Sequence, residues 1–399
     1  MKRNYIGRKL AFWLSAVLMA ACQQGEEIEE LTEPVPQEKA GEVILDFTVA
    51  GELSLSADPA STRTELPGSG NIQHVTSVQL YIFNGTGDAA VCIASEDVGW
   101  SAYFGNIPPT VTATMKYHVK YEGLVKDTPY TFLAVGMDAS SGTTYGLPAA
   151  IQVNTTTLGN AVATLSGTET ATWSNIRTSE LFAGATVLTP TYAGAQGNVD
   201  LWRRVAGVMG WFTNVPTLVG ATTVSAIRIT LYTQQNKSVP LLQRSQTPVF
   251  KDYIASPLSA STGGQVLVQI PVPAGTLPLV TLSKGSYVLP VPAPAVVNAN
   301  DFSLKVELVD AAGNTLRSAR VTLSDSDDSN SSTGNGTGII DPQGVYRFPI
   351  IANHFYGIGT PLVPINLGAI GTRAGVQARV MKESSISPLS TSLYSSSPH

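Results

Sequence analysis

The sequence predicts an all-β protein built of antiparallel β-sandwiches, and three observations lead there. Charged residues make up only 13% of the 399 positions, about half the share of an ordinary soluble domain. Thr, Ser, Gly, Val and Pro fill the deficit, the composition of strands and turns rather than of helices. From Gly41 onward apolar residues recur with period two, the mark of half-buried strands. Beyond the first two dozen residues no segment sustains a 3.6-residue apolar stripe, so little helix is expected.

Each strand can be read in turn. Val43, Leu45, Phe47 and Val49 alternate with Ile44, Asp46, Thr48 and Ala50. Val78, Leu80 and Ile82 form a second series, closed by the turn pair Asn84-Gly85. Later series are Ile227, Ile229, Leu231; Val266, Val268, Ile270; Phe302, Leu304, Val306, Leu308; and Ala319, Val321, Leu323. Clusters of Gly, Pro, Asn and Ser separate them. The length suits two domains of ordinary size. The loop Thr189–Gly194, with Pro190 and Gly194, places the division at Leu188: an N-terminal sandwich over 42–188 and a C-terminal one over 189–370. Ser324–Gly338 is a polar loop inside the second, and residues 371–399 form a tail that is Ser- and Pro-rich from Glu383.

Residues 1–22 have the three parts of an export signal. Lys2, Arg3, Arg8 and Lys9 are followed by the apolar run Leu10–Ala21, too short to span a bilayer, and then by Cys22. A cysteine directly after small residues resembles a bacterial lipoprotein signal, in which the thiol accepts diacylglycerol, and several acyl chains on Cys22 would hold the protein durably in a membrane. Residues 23–41 carry six glutamates, with Pro34 and Pro36, and read as an extended acidic tether. Acidic residues this soon after the cysteine resemble the surface-export signal of lipoproteins in some Gram-negative anaerobes. Without the leader's four basic residues the chain keeps 20 basic and 29 acidic residues, a net charge of −9. That balance excludes nucleic acid as a partner. The other cysteine, Cys92, sits in the apolar run Ala89–Ala94 and reads as a small core residue.

The residues offer little chemistry. His74, His118, His354 and His399 are scattered, with no second ligand at metal-binding spacing, and there is no nucleophile elbow, phosphate loop or His-Glu-x-x-His. Asp325, Asp327 and Asp328 are dense enough in oxygen to hold calcium, but the loop lacks the regular glycine and closing glutamate of a calcium hairpin and reads as a solvated turn. Trp100, Trp173, Trp202 and Trp211 could form a sugar-stacking platform or serve as core packing, and packing is the reading preferred. The expectation is a protein without cofactor or metal that is not an enzyme.

Several separate stretches then point one way. After the cysteine and tether come the strand Glu42–Ala50, the polar loop with Ser61-Thr62-Arg63-Thr64, and Val75–Asn84. Mid-chain stand Glu180–Gly184 and Val199–Val208, with Arg203-Arg204 at its centre; near the end are Tyr346–Ile350 and Asn353–Tyr356. In order and spacing these stretches resemble the fimbrillin superfamily, lipoprotein-derived subunits of type V pili. From the residues alone, Arg203 reads as a paired, partly buried structural charge.

The resemblance implies two transthyretin-like sandwich domains in tandem, an outer-membrane lipoprotein lipidated at Cys22, and other fimbrial subunits as partners at the cell surface. It also implies maturation by a trypsin-like protease after Arg63. Loss of the first strand would open a groove that the C-terminal segment of another subunit fills, here within Pro361–Val380. Burying Val43, Leu45, Phe47 and Val49 would contribute about 6–12 kcal/mol, comparable to the stability of a whole domain. The chain's end departs from the pattern of stalk subunits: Val380-Met381-Lys382-Glu383 runs into a Ser-rich tail in place of a well-marked donor strand. A tip or anchor position therefore stays open, as does a glycan-binding surface lipoprotein that uses exposed tryptophans.

Overall fold

The structure, a computed structural model, describes residues 38–50, 75–105, 112–166, 179–232, 236–242, 264–275, 279–291, 304–323, 339–340, 346–347, 350, 352, 354–368 and 376–382. Of these, 53% are strand and 5% helix, in keeping with the all-β expectation.

The first half runs β1 (Val43–Ala50), β2 (Ser77–Phe83), β3 (Cys92–Asp97), a helical turn α1 (Trp100–Tyr103), β4 (Thr112–His118), β5 (Tyr130–Met137), α2 (Ser141–Tyr145), β6 (Val162–Thr164), β7 (Leu181–Leu188) and β8 (Ala195–Arg203). All but β6 join one sheet in the order β3-β2-β5-β7-β8-β1-β4. On β1 the alternation holds: Val43, Leu45, Phe47 and Val49 are buried while Ile44, Asp46 and Thr48 are half-buried. The central strands are covered on both faces. Phe132 and Ala134 of β5 pack in one core with β1, while Leu133, Val135 and Met137 face a second core. A strand covered twice is mostly apolar along its length, and all eight residues of β5 are buried, the Thr131 hydroxyl donating to the Gly85 carbonyl. The second face is capped by Tyr145, Leu147, Ile151 and Leu158 from the segment after β5.

The second half runs β9 (Ala206–Thr213), the small hairpin β10 (Leu218–Val219) and β11 (Thr222–Thr223), β12 (Ala226–Leu231), β13 (Ser238–Pro240), β14 (Gln265–Pro271), β15 (Leu282–Val288), β16 (Leu304–Val309), β17 (Thr315–Leu323), β18 (Ile339–Ile340), β19 (Tyr346–Arg347), β20 (His354–Ile358), β21 (Ile365–Asn366) and β22 (Val376–Lys382). The large sheet has the order β14-β12-β16-β17-β22-β20-β9-β15, and β21 adds to β9. Its two edges return toward each other, where Lys284 Nζ on β15 donates to the Gln269 carbonyl on β14 at 3.2 Å. The ladder between β6 and β13 joins the two halves, and residues of both contribute to one continuous core.

Two features differ from the sequence reading. The sheets are mixed rather than purely antiparallel: β1 runs parallel to β8, β22 to β17, and β20 and β21 to β9. Parallel neighbours need long connections, and these pairs are far apart in sequence or enter from the chain's ends. Secondly, β7 and β8 flank the expected division at Leu188 yet share the first sheet, and the change of sheet comes between Arg203 and Ala206.

Candidate functional site

β1 is the first element of interest. It lies between β8, parallel to it, and β4, antiparallel, in continuous register from Ile44 to Val49 on both sides. Its removal would leave a slot one strand wide, with β8 and β4 about 10 Å apart and their inner edges unpaired. Phe47 fills the centre, its ring 6.0 Å from that of Tyr117. At the outer face Asp46 Oδ2 accepts from Gln196 Nε2 at 2.8 Å, and Lys116 Nζ stands 4.0 Å from Asp46 Oδ1.

The segment leading into β1 is fastened to the end of β4 and to two loops, the one after β4 and the one between β7 and β8. Ala40 N donates to the Leu124 carbonyl at 2.9 Å and Gly41 N to the Thr191 carbonyl at 2.8 Å. Ala195 N donates to the Glu42 carbonyl at 3.0 Å. His118 Nδ1 lies 2.7 Å from Glu42 Oε1, and Lys39 Nζ 2.9 Å from Glu122 Oε2. The closest approach is at Gly194. With φ at +91° and the Glu42 carbonyl against its Cα, a Cβ there would overlap that oxygen. Gly194→Ala is therefore expected to destabilise the fold by about 1–3 kcal/mol, read as a lowered urea midpoint with an unchanged slope.

A buried polar network lies where the first sheet gives way to the second. Arg203, at the end of β8, donates from Nε and Nη2 to Glu180 Oε1 at 3.2 and 3.0 Å. Both side chains are buried, and the guanidinium stacks 4.8 Å from the Phe182 ring. Tyr287, on β15 of the second sheet, also donates its hydroxyl to Glu180 Oε1. Asp138 accepts the Glu180 backbone N–H at 2.5 Å and both the N–H and hydroxyl of Ser140. Next along the chain, buried Arg204 donates to the Pro240 carbonyl of β13 at 2.9 Å through Nε. Burial, reinforced by the carboxylates of Asp138 and Glu180, holds the Tyr145 hydroxyl well above the usual tyrosine range. These groups tie strands of both halves together. Glu180, Arg203 and Arg204 are buried, and their chemistry is that of charges held for structure.

Of the residues singled out from sequence, Cys22, Arg63, Trp173, Asp325, Asp327 and Asp328 lie outside the described residues. Trp100 and Trp211 are buried and Trp202 is half-buried, which takes two of the four tryptophans away from any sugar platform. Cys92 is buried in the core and burial pushes its thiol up. The segment Pro361–Val380 divides: part forms the loop and β21, and its last five residues belong to β22. Arg203 is the paired, buried charge expected from sequence. Its partner Glu180 was singled out only within a motif, and Tyr287 not at all. Among the described residues no helix is long and apolar enough to cross a membrane, and no cluster of three or more His, Cys, Asp or Glu is placed to hold a metal ion.

Residues 55–239 match the family of fimbrillin-A associated anchor proteins Mfa1 and Mfa2. Over those 185 of 399 residues the chain is similar to the fimbrillin family's Mfa-like proteins. No curated protein sequence matches it. Solved structures similar to it include the fimbrial anchor protein Mfa2 from Porphyromonas gingivalis, 10% identical, covering 79% of this chain and 90% of that one, with a TM-score of 0.37. A fimbrial assembly protein from Parabacteroides distasonis is 11% identical over 80% of this chain and 90% of that one, TM-score 0.32. A candidate polysaccharide-binding protein from Bacteroides thetaiotaomicron is 12% identical over 81% and 93%, TM-score 0.42. Similarity at this level carries no function from one chain to another.

The family match spans the strands from β2 to β13 and the buried Glu180–Arg203 pair, but neither β1 nor β22. Those two strands occupy the same kind of position. Each lies between a parallel neighbour and an antiparallel one: β1 between β8 and β4, β22 between β17 and β20. β22 pairs Val376–Ala378 with β17 and Arg379–Lys382 with β20, and among the described residues it is the strand that joins the two parts of the second sheet.

Proposed function

We propose that this chain is a cell-surface fimbrial subunit, held in the outer membrane by acyl chains on Cys22, that closes one end of the fibre rather than repeating along it. The observation that carries this reading is β22. A repeating subunit must release a C-terminal segment to its neighbour, and releasing β22 would divide the second sheet between β17 and β20. The Ser-rich residues beyond it have no alternation that could serve in its place. In this reading the two sheets stand for the two transthyretin-like domains expected of the family, and the match to fimbrial anchor proteins supports an end position.

A second reading, a repeating subunit, is favoured by β1. Cleavage after Arg63 would free a strand with four buried apolar side chains and expose a slot with two unpaired edges, a strong acceptor for a donated strand. The two readings exclude each other in one molecule. Cys22 and β1 both precede Arg63, so the cut that opens the slot also removes the lipid.

One experiment separates them: N-terminal sequencing and sizing of the protein recovered from the cell surface after fatty-acid labelling. The end-closing reading expects a labelled chain of full mature length, lost from membranes on Cys22→Ala, and monomers after limited trypsin treatment. An unlabelled chain beginning at Thr64 that forms ladders, with Arg63→Ala remaining monomeric, would replace it with the repeating reading. Membrane retention of Cys22→Ala equal to the wild type would remove the lipid anchor from both.

A further inference from the structure

The two edges of the first sheet are β3 and β4. Among the described residues they form no ladder with each other, yet one side chain joins them. Glu96, on β3, stands opposite Leu80 of β2, which packs in the same core as β1. Its Oε2 accepts the Tyr117 hydroxyl of β4 at 2.8 Å and the Lys120 backbone N–H at 3.1 Å. Its Oε1 accepts the Tyr121 backbone N–H at 2.6 Å. An ionised carboxylate carries no donor of its own, so it can take all three at once. Bonds from backbone N–H groups to a charged acceptor are also the stronger kind. Tyr117 is buried, and burial, reinforced by Glu96, holds its hydroxyl above the usual tyrosine range, so it stays a donor.

The position of β4 gives this contact its weight. Among the described residues β1 is its one strand neighbour, whereas β8, across the slot, is also paired with β7. Were β1 to leave, β8 would keep a ladder and β4 would keep none. Ala113, Met115 and Tyr117 would still face the core, but apolar contact is non-directional and fixes neither register nor spacing. The loop after β4 is tied again further along, by Val125 N to the Tyr130 hydroxyl at 3.0 Å and Asp127 N to the Pro190 carbonyl at 2.8 Å. Only the Glu96 bonds act at the end of β4 itself. We infer that Glu96 is a clasp that fixes β4 against β3 without help from β1, so that both walls of the slot stay in place when β1 opens. This goes beyond either reading of function, because it concerns the walls and not what fills the space between them. Walls already in place spare an incoming strand the cost of ordering them. Glu96 is thus a positioning residue, acting through β4 on whatever strand lies in the slot.

The test is amide hydrogen exchange of the full chain, read residue by residue. Phe47→Asp puts a charge where no surface is exposed and should expel β1. Thr48→Pro, which removes one ladder N–H without burying a charge, is the milder second variant. In these chains the amides of Leu45 and Val49 should exchange freely. Those of Lys120 and Tyr121 should still exchange at least about a hundredfold more slowly than in an unstructured chain. Adding Glu96→Ala should bring them to within about tenfold of the unstructured rate. Adding Glu122→Ala, an exposed carboxylate of the same loop paired with Lys39, should leave them protected. Loss of protection at Lys120 and Tyr121 together with β1 in both variants would show that β1 alone holds β4, and would overturn the inference. Protection that survives Glu96→Ala would overturn it too, since this carboxylate would then not be the clasp. Retention of protection in β1 itself in both variants would do the same, because β1 would then not open apart from the rest.

Discussion

Phe47→Ala lowers the stability of the folded protein by about 3–5 kcal/mol, the largest effect expected of any single truncation in β1. Phe47 has no exposed surface and pairs with Met115 on one side and Val199 on the other. Its ring reaches Tyr117 across the β4 neighbour, so its loss leaves a cavity bounded by strands that cannot close on it without breaking two ladders. Against a domain stability of about 5–15 kcal/mol, that is a large fraction of the whole. Asp46→Ala is the matched control on the same strand. Its carboxylate is half-buried and 4.0 Å from an exposed lysine, a pair expected to contribute under about 1 kcal/mol. Urea unfolding of the three proteins at equal slope checks both. A Phe47→Ala loss under about 1 kcal/mol would mean that β1 does not close the first core, and the strand-exchange reading would lose its driving force.

The alternation of β1 was legible because one face meets the core and the other is half-exposed, which period two reports directly. The same reasoning passed over Tyr130–Met137, where burial on both faces erases the alternation. The loop at Pro190 and Gly194 was read as a boundary between domains. A turn signal reports that the chain reverses, and is silent on which sheet the next strand joins; here β8 returns to the first sheet to hold β1. The mixed character of the sheets was hidden for a related reason, since pairing direction between strands far apart in sequence leaves no local trace. At the join, an arginine among apolar strand residues suggested a buried partner, but the partner's identity depends on the β7–β8 register that sets Phe182 opposite Arg203. Tyr287 comes from another sheet altogether.

Arg203→Ala is expected to cost about 3–5 kcal/mol, rivalling the loss at Phe47 through a different mechanism. Removing the guanidinium takes away two hydrogen bonds to Glu180 Oε1 and the ring contact with Phe182. Glu180 is left with no exposed surface, so water cannot replace what is lost. The hydroxyl of Tyr287 still donates to it, but a neutral hydroxyl does not offset the lost charge of the guanidinium beside a buried carboxylate. Removing both charges together is a different matter. Arg203→Met with Glu180→Leu eliminates the stranded charge and should recover most of the stability, because a buried pair often contributes little over apolar residues of similar size. The double-mutant cycle is therefore expected to show strong coupling, with the double variant more stable than Arg203→Ala. Chemical denaturation of wild type, both single variants and the double measures it. Additive effects, or an Arg203→Ala loss within about 1 kcal/mol, would mean that the pair is solvated in solution and that the join between the sheets is held by the apolar core rather than by this network.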